Sequence, residues 1–192
     1  MAEVLDFDEL NVLESNVDEM VEDIGGIIDD PNRTAIIGGI EDDLEELLIM
    51  AYIFGQDYVN RKLGTDVKAT AEEMEETVFQ KIDGEDWRDR IRQHIEEGDL
   101  GMVKTVIRTE SNRVYNTAVG NSVDDSGETD VQKTWVTMGD EKVRDTHWHL
   151  EGVKVPYGEK FYAIDGDSAT APGRFTMPEN NINCRCTLRI SK

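Results

Sequence analysis

Little in this sequence could staple it from outside its own core. It has two cysteines, three histidines and four prolines, and no apolar run near the roughly 18–20 residues that cross a bilayer. The cysteines, Cys184 and Cys186, stand one residue apart. At that spacing the ring closed by a mutual disulfide is strained, so a reduced pair or a pair of metal ligands is expected. The N-terminus opens with acids rather than the basic-then-apolar pattern of a signal peptide. The chain therefore reads as soluble, made in a cytoplasm and without a membrane partner. It contains no Gly-x-x-x-x-Gly-Lys phosphate loop and no Gly-x-Ser-x-Gly nucleophile elbow.

Basic residues are also scarce. There are 20 lysines and arginines against 42 acids, a net charge of -22 over 192 residues. Binding to nucleic acid draws its affinity largely from Lys and Arg contacts to phosphate, so direct nucleic-acid binding is not expected over most of the surface. The charge is uneven: residues 1–60 hold 17 acids and one base, Arg33, whereas residues 61–192 hold 25 acids and 19 bases. Three explanations fit the acidic half: a solvated helical face, a docking surface for a basic partner, or adaptation to high salt.

Apolar residues at Leu10, Leu13, Val17, Val21 and Ile24 have the three-and-four spacing of a helix that ends at Gly25 and Gly26. After Asp29-Asp30-Pro31-Asn32, a second run passes through Ile36, Ile40, Leu44, Leu47, Leu48, Tyr52 and Val59. The two predict a helical hairpin whose acidic sides cannot neutralise each other and call for ions or a partner. Thr70 should cap a third helix bearing Met74, Val78 and Ile82 and closed by Gly84. A fourth carries Trp87, Ile91 and Ile95 and stops at Gly98; its Arg88, Arg90 and Arg92 are interleaved with acids. A fifth is predicted from Leu100 to Val119, followed by a polar loop to Asp130. Beyond it, Lys133–Met138 reads as a strand, Gly139–Leu150 as a short helix, and Val153–Val155, Phe161–Ile164 and Thr187–Ile190 as strands, with a Gly/Pro/Ser loop over Gly166–Glu179. The expected fold class is α+β: an N-terminal helical region (a helical hairpin plus three helices), then a small C-terminal α+β domain with short antiparallel strands. The expected divisions are 1–65, 66–120 and 121–192.

Asp140, Arg144 and His147 fall at i, i+4 and i+7, which would place them on one helix face. The set reads either as an acid/base pair for catalysis or as an ordinary polar face. His147 and His149 with Cys184 and Cys186 offer ligand types that zinc accepts. The two histidines would point about 200° apart on a helix, so one histidine, both cysteines and an outside ligand make the easier set. A metal-free buried polar cluster and a catalytic thiol are the other readings. Glu110 and Arg113 can bridge on a helix surface, and Trp135 is expected in the core.

The order of these pieces resembles the C-terminal domain of the MuF-like minor head proteins of tailed phages. It runs from Arg108-Thr109-Glu110 with Arg113 and Asn116, through Lys133-Thr134-Trp135-Val136-Thr137, Asp140, Arg144, His147 and Leu150-Glu151-Gly152, to Phe161, Pro172-Gly173 and Asn183-Cys184-Arg185-Cys186. The resemblance covers about Val106 to Ile190. It implies a structural component of the virion or procapsid, associated with the portal protein and other head proteins and acting in head assembly or genome delivery. Related domains occur in fused toxins, and a metal-dependent hydrolase or nuclease-like toxin using His147 and Asp140 is the alternative. Many members carry a Cys-x-x-Cys ahead of the glycine that corresponds to Gly152; here those positions are Arg144 and His147, which leaves at most one ligand of that pair. The resemblance thus implies no catalytic residue and a structural polar cluster of Arg108, Glu110, Asn116, Trp135, Asp140, Arg144, His147, Asn183 and Arg185. No cofactor is expected, with a structural zinc on His147, Cys184 and Cys186 as the alternative.

Overall fold

The helical half is organised by one face of each helix turning onto a common apolar core. The computed structural model describes residues 8–82 and 84–192, with side chains from Asn11 onward; Leu10, first in the expected stripe, lies outside the described side chains. Helix α1 (Asp8–Gly25) buries Leu13, Val17, Val21 and Ile24. A 3-10 turn (Arg33–Ile36) leads into α2 (Ile37–Leu63), which buries Ile40, Leu44, Leu48, Tyr52 and Val59. Ile36, expected in that stripe, is exposed.

Helix α3 (Ala71–Val78) starts on Thr70 with a reciprocal capping box to Glu73. It ends before Ile82, earlier than the apolar spacing suggested, because its last carbonyls are claimed from elsewhere. The Trp87 indole N–H donates to Val78 O (3.1 Å), and the Arg113 guanidinium donates to Thr77 O (2.9 Å) and Val78 O (3.4 Å). Such contacts satisfy the carbonyls that a helix end leaves free. Helix α4 (Trp87–Glu97) is capped by Asp86 and ends at Gly98. Arg33 lies across its C-terminus, donating to Ile95 O and Glu96 O at 2.8 Å, where the helix dipole favours a cation.

Helix α5 (Leu100–Asp125) is the spine of the molecule and runs past the expected stop at Val119. Ser122 and Val123 are buried, one turn on from Ala118 and Val119, so the polar-looking sequence there continues the apolar face. It packs against α2 along much of its length. At Gly55 a Cβ atom would lie 2.6 Å from Tyr115 O and 2.9 Å from Ala118 Cβ, so this glycine sets how closely the two helices approach.

The acids of the hairpin are partly neutralised from within the chain. Arg88 and Arg92 of α4 pair with Glu45 (2.6 Å) and Glu41 (2.7 Å), while Lys104 and Arg108 of α5 pair with Asp18 (3.2 and 2.9 Å). The cations scarce in the first 60 residues are supplied by the helices stacked on them.

The C-terminal part is a three-stranded antiparallel sheet of β1 (Gln132–Val136), β2 (Lys154–Pro156) and β5 (Thr187–Ser191), in the order β2-β1-β5. Lys133 opposes Val155 and Ile190, and Trp135 opposes Leu188. A short ladder joins β3 (Phe161–Tyr162) to β4 (Ser168–Ala169), and one-turn helices α6 (Asp145–Trp148) and α7 (Pro178–Asn181) flank it. The segment expected as a helix from Gly139 to Leu150 is helical only over α6. Gly139 adopts φ 68°, and Asp140 accepts from Lys142 N in a side-chain turn, so the chain bends before a helix can start. The Gly166–Glu179 stretch likewise holds β4 and the start of α7 rather than loop alone. The fold is α+β, and among the described residues no helix is long and apolar enough to cross a membrane.

Candidate metal centre and its polar surround

Cys184, Cys186 and His147 meet in the interior, each at most 3% exposed. Asn183 brings the cysteines there: its backbone sits in the left-handed region (φ 56°), which asparagine tolerates, and its N–H donates to Thr109 Oγ1 (2.8 Å). The carbonyl of Cys186 is then held by Asn112 (2.9 Å) and Asn116 (3.3 Å) of α5. His147 comes from α6 and packs its ring against Phe175 (5.3 Å, stacked) and Trp135 (5.4 Å, edge-on).

His147 Nδ1 lies 3.6 Å from Cys184 Sγ and 3.5 Å from Cys186 Sγ. Tetrahedral zinc with bonds of about 2.3 Å to sulfur and 2.0–2.1 Å to nitrogen needs a nitrogen-to-sulfur edge of about 3.6 Å. The three donor atoms lie within 4.8 Å of one another, so the set fits three corners of such a site. Among the described residues no fourth His, Cys, Asp or Glu joins them, and His147 Nε2 is buried with no hydrogen-bond partner, whereas a metal-bound histidine usually fixes its second nitrogen on a carbonyl or carboxylate. His149 is not part of the cluster. Both cysteines are free thiols. The hydrogen bond from Cys186 pulls the Cys184 thiol well below its ordinary range, and the same contact together with burial pushes Cys186 up. Among the described residues, the buried Trp135 Nε1 has no hydrogen-bond partner.

The other sequence-selected residues are dispersed around this centre. Asp140 does not pair with Arg144; both its oxygens take the Arg185 guanidinium (2.7 and 2.9 Å), a contact that holds its carboxyl below the usual range. Arg144 is not on a shared helix face but precedes α6 in extended backbone, donating to Ile182 O (2.6 Å) and Asn180 O (3.4 Å). Arg108 faces α1 through Asp18. The expected surface bridge between Glu110 and Arg113 is instead buried, with Arg90 as a second partner of Glu110 (2.8 Å). Cys184, Arg185 and Arg108 also line a cavity of about 240 Å³ with Leu13, Val17 and Met138.

Two residues missed by sequence reasoning organise the surrounding loops. Asp167, 4% exposed, accepts from Ser168 N, Thr176 N and Oγ1, Met177 N and Asn180 Nδ2. Burial raises its pKa, but those donors outweigh burial and hold the carboxyl well below its ordinary range. An Asp-Gly-Asp turn was the available signal. Lys133, 2% exposed, donates to Thr170 O (2.8 Å) and lies over the rings of Tyr157 and Phe161; strand alternation, which puts it on the same face as Trp135, was the available signal.

Residues 68–189 match the family described as Phage Mu protein F like protein, a span that begins well ahead of Val106, where the resemblance begins. The chain is 31% identical over 90 residues to Minor head protein GP7 of Bacillus phage SPP1, covering 46% of this chain and 29% of that protein. It is 32% identical over 84 residues to NAD(+)--arginine ADP-ribosyltransferase EFV of Enterococcus faecalis (strain ATCC 700802 / V583), covering 43% of this chain and 17% of that protein. The chain thus spans less than a third of either relative's length. No solved structure matches it. With well over half of its length matched, this chain belongs to the phage Mu protein F like family.

Proposed function

We infer that this chain acts as a minor head protein of a tailed virus: a structural component of the virion, made in the host cytoplasm, that associates with the portal and other procapsid proteins during head assembly or genome delivery. Family membership over residues 68–189 carries the reading, and the likeness to a phage minor head protein supports it. The polar groups add support of their own. Asp140 is engaged by Arg185, and His147 faces two thiols rather than a carboxylate, so the pair required by a hydrolase or nuclease reading is not assembled. The likeness to a transferase spans 17% of that protein and does not carry its chemistry over. The cysteine and histidine cluster fits a structural role, in which a zinc ion on His147, Cys184 and Cys186 would cross-link α6 to the segment leading into β5. The test is incorporation into procapsids assembled with and without the portal. Portal-dependent incorporation of the intact chain is the expected result; incorporation that is the same with and without the portal overturns portal association.

A further inference from the structure

Between α1 and α2 runs an open groove of about 480 Å³. Its floor is apolar, with Met20, Ile27 and Met50 half-buried beside Leu47. Its rims are acidic: Glu19 and Asp23 on α1, Asp43 and Glu46 on α2, all exposed. Asn16 donates to Met50 Sδ (3.2 Å) and ties the two helices together beside it. We propose that this groove receives a single amphipathic helix with an apolar stripe and lysines or arginines on both flanks, contributed by another head protein.

Three observations lead to that occupant. The lining on α1 runs from Asn16 to Ile24, with Ile27 in the turn beyond; at about 1.5 Å per residue the helical part is about 12 Å, just over two turns of helix. A groove between two antiparallel helices presents the ridges into which a third helix packs, and an apolar stripe on such a helix is the usual anchor. The third observation concerns charge. Asp18, Glu41 and Glu45 of the same hairpin are neutralised by α4 and α5. Among the described residues, Glu19, Asp23, Asp43 and Glu46 have no cationic partner. Acids left unpaired on both sides of an apolar floor repel one another, reject an acidic helix and gain from a basic one. The partner's origin in the head rests on the proposed function, whereas its chemistry rests on the groove.

The test uses the full chain and three stapled peptides of about 14 residues, stapled because short helices are marginal in water: a leucine-striped helix with lysine flanks, the same stripe with glutamate flanks, and a lysine-flanked scramble without a stripe. Binding is followed by fluorescence anisotropy at physiological salt. The lysine-flanked striped helix is expected to bind, and the D23K/D43K pair to weaken it at least about tenfold. The E75K/E76K pair, an equal charge change on α3, should weaken it less than about threefold. Equal weakening by both pairs, or equal binding of the scramble, means diffuse attraction to a chain of -22 and overturns the proposal; so does equal binding of the glutamate-flanked helix. Procapsid incorporation of D23K/D43K is read separately. Lost peptide binding with normal incorporation keeps the groove as a helix site while overturning its role in head docking.

Discussion

Glu110 and Arg113, one turn apart on α5, form an ion pair sealed from solvent: Arg113 Nε donates to Glu110 Oε2 at 2.8 Å, with both side chains at most 3% exposed. Arg113 also ends α3 through two backbone carbonyls, so the pair joins α5 to α3, and Arg90 extends it to α4. Removing one partner leaves a buried guanidinium without its counter-charge. Glu110→Ala is expected to cost about 3–5 kcal/mol in urea unfolding. A loss below about 1 kcal/mol would show the pair to be wet in solution.

Gly55 predicts a purely steric effect. Its missing side chain admits the α5 backbone at Tyr115, and an added methyl would meet Tyr115 O and Ala118 Cβ inside contact distance. Gly55→Ala should therefore destabilise by about 1–3 kcal/mol despite the better helix propensity of alanine. A variant as stable as the parent, by the same unfolding assay, would contradict the close approach.

Lys133 makes stability depend on alkaline pH. Burial lowers its pKa to about 8, against about 10.4 in an unfolded chain. Between these values the unfolded chain holds a proton that the folded chain has released. The contribution is absent below about pH 8 and grows with pH toward 10.4. Tyr157, whose hydroxyl burial pushes up, opposes this only above about pH 10, where unfolded tyrosine ionises. Stability relative to Lys133→Met should rise between pH 8 and 10; parallel curves for the two proteins would refute the buried lysine.

Zinc should raise the melting temperature of the intact chain and bind near one ion per molecule by elemental mass spectrometry, with the increase reversed by chelator. Cys184→Ser and Cys186→Ser should each abolish the shift, because two remaining donors hold zinc poorly. A melt insensitive to both zinc and chelator would leave a metal-free cluster packed on Trp135 and Phe175.

Much of the helical half was legible because its signals are local. Thr70 capped the helix expected of it, and Leu13, Val17, Val21 and Ile24 turned inward as their spacing required. The α+β class followed from the change from helical to strand patterns beyond Asp130, and the family from motif order. What the sequence could not provide were contacts closed across long separations. The end of α3 depended on Arg113 and Trp87, and the burial of Glu110 on helices stacked around it. Asp140 turned to Arg185 rather than Arg144 because the Gly139 turn removed the helix that would have aligned them. Periodicity along the chain therefore determined where the helices of the N-terminal half lie and which faces they bury. Only the tertiary structure decided which charge meets which, since an ion pair depends on side-chain reach in space and carries no period in sequence.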